Sequence, residues 1–144
     1  MVLGYRISCD YEEMDFDVIH HYISNTYWAN NIPKTTLKRA LEHSLCFGVF
    51  SPEGKQIGFA RMISDQATFA YLADVFIDEE HRGKGLSKWL MQTIHDYPAL
   101  QGLRRILLVT RDAHGLYEQF GYSSLSHPST LMQKWNPDVY NECS

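Results

Sequence analysis

Arg82-Gly83-Lys84-Gly85-Leu86-Ser87-Lys88 crowds cations and glycines into one short stretch, directly after the apolar run Val75-Phe76-Ile77. The chemistry open to such residues is anion binding. A strand that turns into a helix aims the helix's unpaired N–H groups, and the positive end of its dipole, at one point. Gly83 and Gly85 lack Cβ, so positive φ costs little and a ligand can approach the main chain closely. Arg82, Lys84 and Lys88 add mobile positive charge around the same point. The segment predicts a phosphate site, and the alternative is a solvated turn at a helix entry.

Spacing narrows the phosphate. A Walker A loop needs Gly-x-x-x-x-Gly-Lys-Ser/Thr. Here Lys84 is followed by Gly85, and Asp78 stands five positions before Gly83. A dinucleotide fingerprint needs a third small residue where Lys88 stands. Both fail. Arg82-Gly83-Lys84-Gly85-Leu86-Ser87 instead resembles the Arg-x-x-Gly-x-Gly/Ala diphosphate motif of the GCN5-related N-acetyltransferases, with Ser87 as the small last residue.

A second segment strengthens the resemblance. The β-branched run Arg105–Thr110 reads as a strand. Behind it, Ala113, Leu116, Tyr117 and Gly121 fall in register with that family's Asn-x-x-Ala-x-x-Leu-Tyr-x-x-x-Gly-Phe pattern. Thr110 replaces the common Asn and Tyr122 the common Phe. Asp112 is the expected cap of a short helix there, and Gly121 its left-handed C′ residue.

The resemblance implies an acetyl-CoA-dependent N-acetyltransferase that acts by direct attack in a ternary complex. It implies coenzyme contacts from Val75, Phe76, Ile77, Arg82, Gly83, Lys84, Gly85, Leu86, Ser87 and Lys88, and from Thr110, Asp112, Gly115, Leu116, Tyr117 and Phe120. The backbone N–H of Val75 or Phe76 would polarise the thioester carbonyl. Tyr117 stands where the family places its general acid; a phenol stays protonated at neutral pH and can hand a proton to the departing thiolate. Its alternative is a core aromatic beside Leu116 and Phe120. Asp74 could take the amine's proton, orient the ammonium, or be a hydrogen-bonded structural carboxylate. His20 and His21 are the next candidates for the base, being able to titrate near neutrality. No metal is expected: adjacent helical histidines with no third ligand make a poor site. Tyr27, Trp28, Tyr71 and Trp135, with Asp74, are candidate walls for an acceptor amine on a small molecule or peptide. Two other readings stay open. One is a catalytically silent coenzyme-A-binding sensor or interaction module; the other is a different nucleotide-binding domain that imitates the glycine turn.

Bulk properties suit one enzyme domain spanning 1–144. Lys and Arg number 13 against 17 Asp and Glu, a net charge of −4, so no nucleic-acid partner is expected. The basic residues near Arg82 are therefore local, for a small anion. No apolar run approaches the roughly 18 residues of a membrane span, and the N-terminus lacks a signal pattern. Cys9, Cys46 and Cys143 are odd in number and widely spaced, which favours neither a disulfide framework nor a zinc site and suggests a reducing, cytoplasmic setting. A monomer and a homodimer are equally allowed.

The positioning elements follow from periodicity and punctuation. Strands are expected at 5–8, 46–50, 56–63, 68–77 and 105–110, with a final pair at 122–125 and 131–135 and a frayed tail from Asn136. Helices are expected near 15–24, at 37–44 capped by Thr35 or Thr36, and at 85–97 closed by Pro98. This β-α-α-β-β-β-α-β-α-β-β order is α+β, with a mixed, mostly antiparallel sheet flanked by helices. The resemblance adds that the strands ending near Ile77 and Thr110 splay apart around the coenzyme.

Overall fold

Alternation of side chains across a central sheet sets the architecture. A computed structural model of the protein describes residues 1–142. Its strands are β1 (Arg6–Ser8), β2 (Leu45–Phe50), β3 (Gln56–Ser64), β4 (Phe69–Ile77) and β5 (Arg105–Leu107), in that order across one sheet. The first four are antiparallel neighbours, and β5 joins β4 in parallel. The β2–β3 hairpin closes through Ser51 N–H to Lys55 O at 2.8 Å, with Gly54 at φ 84° as the turn demands.

Each face of the sheet carries its own core. Phe47, Val49, Ala60, Met62 and Leu72 point to the face covered by α3 (Leu86–Asp96), where Leu86, Leu90, Met91 and Ile94 are buried. Cys46 and Phe59 point to the other face. There Ile19 and Ile23 of α1 (Phe16–Ile23) meet Leu37 and Leu41 of α2 (Lys34–Glu42). Asp15 caps α1 by accepting the Val18 N–H at 3.2 Å. Pro98 follows α3 and opens a single 3-10 turn.

Several boundaries differ from expectation, each for a local reason. The second helix starts at Lys34, with Pro33 at the cap position and no side-chain cap bond, so neither Thr35 nor Thr36 plays that part. Proline's fixed φ orients the chain for a helix without a hydroxyl's help. β5 stops at Leu107 rather than Thr110. The expected strands 122–125 and 131–135 are irregular, apart from a 3-10 turn at Pro128–Thr130. Leu125, Leu131, Met132 and Trp135 are all exposed there, so a strand would have had no apolar face to bury. The tail in turn is partly ordered. A short α4 (His114–Glu118) precedes the irregular segment and α5 (Val139–Glu142) follows it. Tyr140 packs on the α1–α2 core and Asn31 Nδ2 donates to Asn141 Oδ1 at 3.0 Å. Cys9 is exposed and Cys46 buried, and Cys143 lies outside the described residues. Among the described residues no helix is long and apolar enough to cross a membrane.

Candidate active site

The turn from β4 into α3 leaves main-chain amides open at a helix start. Gly83 and Gly85 take φ of 81° and 82°, values that L side chains resist, and a Cβ on either would meet nothing within 4 Å. Gly85 occupies the cap position with no side chain to satisfy the helix. The N–H groups of Leu86, Ser87 and Lys88 accordingly have no acceptor among the described residues. They open onto a hollow of about 230 Å³ lined by Ile77, Arg82, Gly83, Gly85, Leu86, Ser87, Lys88 and Leu116. Arg82 is anchored by its Nε donating to Ile77 O at 2.9 Å, which leaves its terminal nitrogens available. Ahead of the turn, Tyr22 donates to Asp78 and stacks on Phe76 with ring centroids 4.2 Å apart, tying α1 to the end of β4. Burial, then that carboxylate, pushes the Tyr22 phenol up to about 12.

A bulge in β4 opens the sheet beside this turn. Phe59 faces Phe76 and Arg61 faces Ala73, so Asp74 and Val75 together oppose Ala60. Asp74 takes φ 57°, a left-handed conformation that Asp tolerates better than most residues. β4 and β5 pair only over Phe69–Tyr71 and Arg105–Leu107, and beyond Leu107 no pairing joins them. Asp78 N–H donates to Ile57 O at 2.7 Å across the β3 side. Ladder alternation therefore turns the Phe76 amide to β3 as well, opposite Phe59, and the amides of Val75 and Ile77 to the open side. Of the two expected donors, Phe76 is thus corrected, and its ring is committed to Tyr22 and Phe59.

Tyr117 reaches the same opening from α4. It is 8% exposed and lines a cleft of about 440 Å³ with Tyr71, Leu107, Leu108, Val109 and Thr110. Burial, and secondarily the Asp112 charge, raises its phenol above the ordinary value. Tyr122 packs edge-on to Tyr117 at 5.8 Å. Its hydroxyl donates to His95 Nε2 at 2.9 Å, because His95 Nδ1 donates to Met91 O at 2.6 Å. Gly121, at φ 89°, sits in the left-handed C′ position: its N–H reaches Glu118 O at 3.2 Å, and that of Tyr122 reaches Tyr117 O at 3.3 Å. Asp112 does not cap α4. Thr110 Oγ1 takes the Ala113 N–H at 3.1 Å instead. Gly115 is exposed on α4, and Phe120 stacks on His95 at 5.4 Å, away from the glycine turn. A larger hollow of about 550 Å³ under the irregular segment contains no residue of the glycine turn.

Five separate segments meet around the β4 bulge. Trp28 Nε1 donates to Asp74 Oδ1 at 2.8 Å, and Arg61 Nε donates to Asp74 Oδ2 at 2.5 Å. Arg61 Nη1 also donates to Ser44 Oγ at 3.1 Å. Tyr27 meets Trp28 edge-on at 5.0 Å and carries the Arg111 guanidinium 3.5 Å above its ring. Tyr71 feels the charges of Asp74 and Arg61, although burial is the main reason its phenol is raised. Both Asp74 oxygens are engaged and the residue is 8% exposed, so of its three readings the hydrogen-bonded, positioning one fits. Trp135, 71% exposed on the irregular tail, does not join this group. His20 is held by Ile32 O at 2.9 Å and stacks on Phe16, His21 is exposed, and neither lines the opening.

Arg61 and Arg111 went unnoticed in the sequence. An arginine inside the apolar run Gln56–Ser64 was a usable signal, because a charge on a buried strand requires a partner. Arg111 had none, since its platform lies far away in the sequence at Tyr27.

A sheet that opens beyond Leu107, beside a glycine turn at a helix N-terminus, is the arrangement that the resemblance of the two motifs implies. Three comparisons agree. The acetyltransferase (GNAT) family profile matches residues 11–122. A Gibberella zeae protein named as a candidate acetyltransferase is 35% identical, the match covering 78% of this chain and 75% of its own. A crystal structure from Xanthomonas campestris, likewise a candidate acetyltransferase of the GNAT family, superposes with TM-score 0.91 at 49% identity, covering 94% of this chain and 96% of that one. Glucosamine-6-phosphate N-acetyltransferase from Arabidopsis thaliana shares the fold alone, at TM-score 0.65 and 15% identity over 91% of this chain and 97% of its own. The chain belongs to the GNAT acetyltransferase family.

Proposed function

We propose that this protein is an acetyl-CoA-dependent N-acetyltransferase, acting as one domain over 1–144 on a primary amine of a small molecule or peptide in a reducing, cytoplasmic compartment. The observation that carries the reading is the α3 N-terminus. Its unpaired amides, left-handed glycines and flanking Arg82, Lys84 and Lys88 form a cradle that a diphosphate fits. Bound acetyl-CoA supplies an acetyl group already activated as a thioester.

The chain's own groups account for the remaining requirements. The Val75 amide, on the open edge of β4, is the donor for the carbonyl oxygen; one preorganised donor of this kind contributes roughly a hundredfold or more in rate. Tyr117 holds the proton for the leaving sulfur, and its raised pKa keeps that proton in place at neutral pH. Asp74 is a positioning residue that fixes Arg61 and Trp28, and the amine's proton leaves through water. Direct attack fits better than a cysteine-bound intermediate, because burial holds the Cys46 thiol at a pKa of about 11.

The test is an amine-library acetylation assay with mass readout and parallel titration of released thiol. An acetylated amine formed in step with free coenzyme thiol supports the reading. Thiol release without amine product, or tight coenzyme binding with no turnover across the library, contradicts it and favours a silent sensor.

A further inference from the structure

The acceptor side carries one positive charge that no carboxylate among the described residues answers. Its charged groups are Arg61, Asp74 and Arg111, set among the phenols of Tyr27 and Tyr71. Arg61 and Asp74 neutralise each other at 2.5 Å, and Trp28's only donor is spent on the same carboxylate. No carboxylate lies within ion-pair distance of Arg111 among the described residues, its neighbour Asp112 included. Instead the guanidinium lies 3.5 Å over the Tyr27 ring, which links the α1–α2 loop, next to Trp28, to the loop after β5, next to Thr110 of the cleft. A guanidinium lying on an aromatic face keeps its rim of N–H donors free, in the fork geometry that matches a carboxylate or phosphate.

We propose that the acceptor is an amine that also bears an anionic group, carboxylate or phosphate, and that Arg111 on its Tyr27 platform reads that group. This rests on the acetyl-transfer reading above and narrows it to a substrate class. Arg111 sets specificity and touches none of the reacting atoms. A polycationic amine is a poor fit: it would meet the unanswered charge of Arg111 and find no free carboxylate at Asp74.

The experiment compares matched amines with wild type and R111Q: an amino acid against its carboxamide, and phosphoethanolamine against ethanolamine, with spermidine as the cationic case. Wild type should prefer the anionic member of at least one pair by about tenfold or more in kcat/KM, and R111Q should erase most of that ratio. Y27L, which removes the platform but not the charge, should lower the ratio partway. Which pair responds distinguishes carboxylate from phosphate. Robust turnover with a neutral or spermidine preference overturns this inference and leaves acetyl transfer standing, as does a ratio unchanged in R111Q. Absence of acetylation for every amine in both proteins overturns acetyl transfer itself, and this inference with it.

Discussion

The proposed coenzyme side and the proposed acceptor side of the opening are made in opposite ways. The first is, apart from Leu116, one continuous segment, Ile77 to Lys88, whose geometry comes from two left-handed glycines and a helix start. The second is gathered from Trp28, Ser44, Arg61, Asp74 and Arg111, held by side-chain contacts across the sheet. A local device can be changed without disturbing the fold. A gathered one is part of the core, so its substitutions act on stability and chemistry together.

The largest expected effect lies on the gathered side. D74A leaves the Arg61 guanidinium, whose side chain is 16% exposed and which still donates to Ser44, without its carboxylate, and should cost about 3 kcal/mol in urea unfolding. The double variant R61M/D74L removes both charges and should recover most of that loss. A D74A protein of wild-type stability would erase the contrast between the two sides.

On the local side, R82E combined with K88E should weaken coenzyme affinity by about a hundredfold, since each reversal replaces an attraction with a repulsion. Its thermal midpoint without ligand should stay near that of wild type, because both side chains are exposed. A large fall in stability with unchanged affinity would invert the comparison. Between the two sides, Y117F should lower kcat at least tenfold with folding intact, and unchanged turnover would leave Tyr117 a packing residue.

The smallest effect is a pH dependence. Burial, then Tyr117, pushes the Tyr122 phenol up to about 12, above its ordinary value near 10. Its raised folded pKa means that this group's contribution to stability is complete below about pH 10 and is lost as pH rises from there toward 12. Urea titrations at pH 8 and 11 should show a smaller alkaline loss for Y122F than for wild type. Equal losses would remove Tyr122 from the account.

The same contrast explains what could be read from the chain. The glycine turn and the Gly121 C′ residue are short-range devices, and each stands where expected; the Ser51–Lys55 hairpin and the Asp15 cap are equally local. The expected Thr35 or Thr36 and Asp112 caps are local too, overtaken by competitors two or three residues away, Pro33 and Thr110. The apolar residues at 122–125 and 131–135 find no partner strand, since β5 ends at Leu107, and Leu125, Leu131, Met132 and Trp135 stay exposed. Long-range facts were out of reach: that β4 bulges at Asp74, that Arg61 claims its carboxylate, and that Arg111 finds Tyr27.

The central claim is that main-chain amides at the start of α3 hold the coenzyme's diphosphate. Backbone amide NMR during titration with acetyl-CoA tests it most directly. The account predicts the largest shifts at Gly83, Lys84, Gly85, Leu86, Ser87 and Lys88, reproduced in part by inorganic pyrophosphate. Shifts concentrated elsewhere, with those six amides unmoved at saturation, would contradict it.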